Sequence, residues 1–187
     1  MAHITCQMGD PATWSARTLD FDVSASYDPR TNRTTVELGT GVWNYFGLNG
    51  YLCSHAAQVA ITATDGGDAS GAAFNGSGLT NGGPSPYFQT APSPGAVTVQ
   101  HGAGTGKKYV RISVSASHTF YYNAGRPTQV TLSGGAEITV EAGERQGAAR
   151  LDLGSALAAG IVCVDLGTGW AQAIPEVDKG GSWAVGM

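Results

Sequence analysis

Leu19-Asp20-Phe21-Asp22-Val23-Ser24-Ala25-Ser26-Tyr27 decides the fold. Apolar residues at 19, 21, 23, 25 and 27 alternate with polar ones, and a period of two belongs to a strand covered on one face. Asp28-Pro29-Arg30-Thr31-Asn32 follows, with proline suited to the second position of a turn. Arg33-Thr34-Thr35-Val36-Glu37-Leu38 then returns as a second strand. The three pieces predict a β-hairpin.

The same logic extends in both directions. Val42-Trp43-Asn44-Tyr45-Phe46 is a short aromatic segment closed by Gly47-Leu48-Asn49-Gly50, and residues 58–64 alternate again until Asp65-Gly66-Gly67-Asp68. Residues 65–95 are rich in Gly, Pro and Ser. Structureless loops of that length are uncommon, so one or two short strands are expected inside it, such as Tyr87-Phe88-Gln89-Thr90. Residues 96–101 read as a strand, Gly102-Ala103-Gly104-Thr105-Gly106 as a flexible turn, and Lys108 to Phe120 as the longest strand. Residues 129–132 and 136–140 are expected to pair across Ser133-Gly134-Gly135 as a tight hairpin. No amphipathic helix separates these strands. The prediction is an all-β chain, an antiparallel β-sandwich of jelly-roll or immunoglobulin-like kind over residues 1–146. Its expected core is Leu19, Phe21, Val23, Val36, Val59, Ile61, Val97, Val99, Val110, Ile112, Val114, Ile138 and Val140.

Composition agrees. Charged residues are 13% of the 187, about half the globular norm, and 28 glycines are about twice the usual share. That balance suits short strands joined by many turns and rules out an all-helical protein. The net charge is −4 and no basic cluster exceeds Lys107-Lys108, which argues against a nucleic-acid partner. No apolar run is long enough to span a bilayer, so no membrane partner is expected. Met1-Ala2-His3-Ile4-Thr5-Cys6 has neither a basic nor an apolar leader region, so no secretory signal is expected. Cys6, Cys53 and Cys163 are odd in number and widely spaced; they read as small buried hydrophobes of a protein made in the cytoplasm, with zinc disfavoured.

Residues 147–161 read as a linker. Beyond it, residues 162–174 align without gaps on residues 175–187, with Val164/Val177, Asp165/Asp178, Gly167/Gly180, Trp170/Trp183 and Ala171/Ala184 coinciding. Each copy reads as strand, turn, strand, so residues 162–187 are expected to form a C-terminal repeat of two 13-residue β-hairpins. Val164, Asp165, Trp170, Val177, Asp178 and Trp183 are its assembly residues: two Trp on so short a segment call for a partner, which points to a homo-oligomer or a neighbouring subunit. Asp165 and Asp178 would fix the turns through backbone N–H groups.

Catalytic motifs are missing. There is no Gly-x-Ser-x-Gly elbow, His-Glu-x-x-His or Walker-type loop, and the glycines at 102–106 lack the helix of a dinucleotide fingerprint. His3, His55, His101 and His118 are scattered and read as surface or satisfied strand residues. Asp65/Asp68 and Asp165/Asp178 could serve Ca²⁺, but Asp beside Gly is more often turn chemistry. The expectation is a non-enzyme without a cofactor or metal. Binding survives better. Trp43, Tyr45, Tyr87, Tyr121 and Tyr122 fall near strand ends, where flat rings stack on sugar faces; the competing reading is that such rings form the sandwich core.

Two stretches carry a resemblance. The first runs from the Thr18-Leu19 strand through the Val36-Glu37-Leu38 strand to Phe74-Asn75-Gly76-Ser77-Gly78. It continues with Val97-Thr98-Val99-Gln100-His101 and Gly106-Lys107 into a long Ser/Ala strand. The second is the pair of terminal Val-Asp-x-Gly-x-x-Trp repeats. Together they resemble the β-sandwich minor structural and receptor-binding proteins of siphophage tail tips. In that family the His-ended strand is followed by an Asn-Ala-Asp-Gly-like turn, whereas residues 102–106 carry no acid. The resemblance implies a bacteriophage virion protein of the tail tip or a peripheral fibre, assembled in the host cytoplasm. Its implied partners are other virion subunits and host cell-surface polysaccharide. A free carbohydrate-binding or carbohydrate-active sandwich and a capsid decoration or head-fibre protein are the alternatives.

Overall fold

The computed structural model describes residues 1–14, 17–45, 47, 48, 50–79 and 87–146, and the backbone of four short strands between 162 and 185. The chain divides into two units, Met1–Glu144 and Arg145–Met187. The first contains β1 (Ala2–Gln7), a one-turn helix α1 (Pro11–Trp14), β2 (Thr18–Asp28), β3 (Arg33–Leu38), β4 (Gly41–Tyr45) and β5 (Leu52–Ala63). It continues through β6 (Ala69–Leu79), β7 (Tyr87–Ala91), β8 (Gly95–Gln100), β9 (Gly106–Tyr122) and β10 (Thr128–Arg145). No helix among the described residues is long and apolar enough to cross a membrane.

These strands form two antiparallel sheets, one of six strands and one of four in the order β10-β9-β5-β6. Val23 pairs with both Ala2 and Leu38, and Leu19 with both Cys6 and Trp43. A strand has only two edges, so β1 lies on one edge of β2 while β3 and β4 follow one another along the other. Two β2 residues between the pairs Val23–Leu38 and Asp20–Val42 oppose three on the partner, a bulge that bends the sheet. β8 and β7 continue this arrangement by pairing with β3 and β4.

The inward faces make one core. Leu19, Phe21 and Val23 of β2, Val36 of β3, Val97 and Val99 of β8, Val59 and Ile61 of β5, and Val110, Ile112 and Val114 of β9 are all buried. Ile138 and Val140 of β10 are only partly buried against them. Phe21 and Phe74 join the sheets with ring centroids 4.8 Å apart. The β2–β3 turn is held as its chemistry predicts: Asp28 accepts from Arg30 N–H at 2.9 Å and from the Thr31 hydroxyl at 2.9 Å.

Three elements depart from the sequence reading. The Gly-rich stretch after residue 65 carries β6, eleven residues paired along their length with β5. β1 is a strand that the sequence reading leaves unassigned. The hairpin expected across Ser133-Gly134-Gly135 does not form, because β10 runs unbroken through it. Gly134 has another purpose there: a Cβ at that position would collide with the Gln7 carbonyl, and Gly9 N–H donates to Ser133 O at 3.0 Å. The glycine permits a close crossing by the N-terminal segment, which sequence alone does not distinguish from a turn.

In the second unit, β11 (Val162–Asp165) pairs with β12 (Trp170–Ala173), and β13 (Glu176–Asp178) with β14 (Trp183–Val185). The linker at 147–161 lies outside the described residues.

Candidate functional site: an exposed aromatic end and two buried polar clusters

Trp43 and Tyr45 cannot serve a glycan. Both lie on the inward face of β4 and are buried. Trp43 stands 5.1 Å from the His55 ring, and Tyr45 stands 4.4 Å from it. They belong to the core, the competing reading of these rings, because β4 turns its odd positions inward. Tyr87 is half-buried beside Tyr45, with centroids 5.8 Å apart.

Tyr121 and Tyr122 fare differently. Tyr122 is 51% exposed, Tyr51 38% and Leu52 63%. Tyr51 and half-buried Tyr121 lie 5.0 Å apart, inclined by 41°. Trp14, at the end of α1, meets Tyr122 edge-on at 5.5 Å and Phe120 at 5.6 Å. Beneath them the Arg17 guanidinium packs 4.9 Å from the Trp14 ring and 4.8 Å from Phe120. Burial lowers its pKa to about 9, so it is still a cation at neutral pH. Trp14 and Arg17 escaped the sequence reading, since no periodicity marks a single helical turn. A further exposed ring, Phe88, stands opposite Asn44 on β7, and Asn44 donates to Asp20 at 2.6 Å and Thr18 at 2.8 Å.

The first cluster gathers buried Lys108, His101 and Thr34 around Asp65, whose own side chain is part-exposed. Lys108, itself buried, donates to Asp65 Oδ2 at 2.6 Å, to Gly104 O at 2.7 Å and to Gly102 O at 3.2 Å. Asp65 Oδ1 meets His101 Nδ1 at 3.1 Å and Gly102 N–H at 3.1 Å. Partial burial alone would raise the Asp65 carboxyl; the bonds from Lys108, Gly102 and His101 outweigh it and hold the group at about 2. The turn at 102–106, expected to be flexible, is thus tied down by Lys108. His101 Nε2 completes the cluster with the Thr34 hydroxyl at 2.7 Å. Hydroxyl, imidazole and carboxylate follow the order of a nucleophilic triad. Thr34 and His101 are nevertheless buried, so the arrangement fastens strands and offers no hydroxyl to a substrate.

The second cluster joins β5 and β9. His55 Nδ1 and His118 Nδ1 are 2.8 Å apart, and His55 Nε2 is 3.7 Å from Cys53 Sγ. Burial and the neighbouring His118 lower the pKa of His55 to about 3, while burial raises that of the Cys53 thiol. A buried thiol beside an imidazole that resists protons is a poor nucleophile. Among the described residues no group of three or more His, Cys, Asp or Glu is placed to hold a metal. Cys6 and Cys53 are free thiols, both buried.

The repeat residues expected to serve assembly occupy matching ladder positions. Asp165 is opposite Trp170 and Asp178 opposite Trp183; Val164 is opposite Ala171 and Val177 opposite Ala184. Compared with known proteins, the chain matches no family model, no curated protein and no solved structure.

Proposed function

We propose that the chain is a structural and adhesion module of a tailed-bacteriophage virion, at the tail tip or on a peripheral fibre. It is a sandwich of jelly-roll or immunoglobulin-like kind that binds and assembles and does not catalyse. The observation that carries the binding half is the aromatic end, where Tyr51, Leu52 and Tyr122 are exposed beside Tyr121 and Trp14. Tyrosine offers a flat apolar face with a hydroxyl at its rim, which suits the apolar face and hydroxyl edge of a sugar ring. Host-surface polysaccharide is the ligand class that fits.

The assembly half rests on the resemblance and on the repeat. Both copies set Asp opposite Trp in the same register, which supports a duplicated hairpin; the Trp of each copy would anchor another subunit, a further copy of this chain or a different virion protein. Assembly in the host cytoplasm and release by lysis follow from this reading.

Two experiments test the halves separately. The full chain should bind purified host-surface polysaccharide, and Tyr51→Ala with Tyr121→Ala should abolish binding with an unchanged β-sheet circular dichroism spectrum. Deleting residues 162–187 should leave the sandwich folded but prevent assembly. Retained binding by the double variant ends the adhesion reading, and normal assembly by the truncated chain ends the other.

A further inference from the structure

Strand β10 is an edge. Its sheet runs β10-β9-β5-β6, so among the described residues β10 has a neighbouring strand on one side only, over a length of 18 residues. An edge of that length displays a row of N–H and C=O groups ready to pair, and natural sheets shorten, charge or cover such edges. One position is already used: Gly9 N–H donates to Ser133 O at 3.0 Å, outside the β9 ladder. Alternate residues of an antiparallel strand direct their backbone groups to the same side, so residues 131, 135, 137 and 139 share the free edge with Ser133.

The flank of this edge is apolar. Inward residues of the neighbouring strands, such as Ile61 of β5 and Ile112 of β9, are fully buried. Val130, Leu132, Ala136, Ile138 and Val140 of β10 are only half-buried. A strand laid alongside β10 would complete their burial.

The strand itself says which one fits. Val130-Thr131-Leu132-Ser133-Gly134-Gly135-Ala136-Glu137-Ile138-Thr139-Val140 reads almost alike in both directions about Gly135. Val130 matches Val140, Thr131 matches Thr139, Leu132 matches Ile138 and Gly134 matches Ala136. Because β10 stays extended, this symmetry is unused within the chain. Two copies set antiparallel, with a two-fold axis at Gly135, would place every residue opposite its match. On the inner face Val130 would meet Val140 and Leu132 would meet Ile138, which joins the two half-buried stripes. On the outer face Glu137 would meet Ser133 and Glu141 would meet Gln129, so no like charges oppose. Each glutamate keeps the cation of its own chain, Arg111 at 3.8 Å and Lys107 at 3.0 Å. Neighbouring axes fit less well. An axis at Ala136 sets Ile138 against Gly134, and one at Glu137 sets that carboxylate against itself. Ser133 O, though bonded to Gly9, has a second lone pair for the N–H of the other copy's Glu137.

We propose that β10 pairs with β10 of a second copy of this chain, antiparallel about Gly135, so that two four-stranded sheets become one continuous sheet. This contact is separate from the repeat at 162–187 and does not depend on what the aromatic end binds.

The test is residue-resolved amide hydrogen exchange of the full chain over a dilution series, with the dimer fraction fixed by sedimentation. As that fraction rises, the amides of residues 131, 135, 137 and 139 should exchange about tenfold more slowly, while those of 130, 132 and 138, which face β9, change little. Gly135→Cys locates the axis. Under mild oxidation it should join two copies, because residue 135 faces itself; Thr131→Cys faces Thr139 and should crosslink no more than the unsubstituted chain. A chain that is monomeric at every concentration overturns the pairing. So does a dimer whose edge amides exchange as they do in the monomer, or protection already complete in the monomer, which assigns the edge to another part of the same chain. A dimer that Gly135→Cys crosslinks no better than Thr131→Cys overturns it as well.

Discussion

Lys108 Nζ stands 2.6 Å from Asp65 Oδ2, so strand β9 and the turn between β5 and β6 are joined by an ion pair buried at its cationic end. Two loop carbonyls take the remaining N–H groups of the ammonium. Removing one partner strands the other: Asp65→Ala should cost about 3–5 kcal/mol, as breaking buried pairs does. Lys108→Met, which leaves the half-buried carboxylate a path to water, should cost less. Urea unfolding of both variants checks the order.

Acid should weaken the fold in two windows. Asp65 has a lower pKa folded than unfolded, about 2 against 3.8, so its contribution is present above pH 3.8 and lost as pH falls toward 2. His55 also has a lowered pKa, but for a base this means that the unfolded chain takes up the proton first. Its contribution is full above pH 6.5 and declines as pH falls toward 3. The urea midpoint should therefore begin to drop below about pH 6.5.

Trp43 and the surface tyrosines should separate cleanly. Trp43→Ala empties a fully buried site and should destabilise by about 3–5 kcal/mol. Tyr51→Ala removes a part-exposed ring and should cost about 1 kcal/mol or less. Thermal denaturation of each variant tests the contrast.

Gly134→Val distinguishes a crossing from a turn. With the Gln7 carbonyl where a Cβ would go, the substitution should destabilise by about 1–3 kcal/mol or more and separate the N-terminal segment from β10. Gly125→Ala, whose Cβ would approach only Asn123 at 3.7 Å, should be near neutral. Chemical denaturation of the two proteins gives the comparison.

Period-two alternation made most of the sandwich legible. Leu19, Phe21 and Val23, and Val110, Ile112 and Val114, fall inward because successive side chains of a strand must alternate. β6 was illegible because Gly and Ala give it little local preference; its strand is set by pairing with β5 and by Phe74 pointing inward. Within the aromatic set, Tyr121 and Tyr122 could be placed near the end of β9, but nothing local told them from buried Trp43 and Tyr45. His55, His101 and His118 looked scattered for a similar reason. Residues 63 positions apart become ladder partners only once the register of β5 on β9 is known.

Intact particles provide the sternest trial of the virion assignment. An antibody raised against residues 1–146 should be applied to purified tailed particles, released from cells that express the chain from its native genome, and located by electron microscopy. The account predicts label at the tail tip or along a peripheral fibre, in constant number per particle, and loss of that label when residues 162–187 are deleted. Unlabelled particles from a lysate that contains the free protein would contradict it.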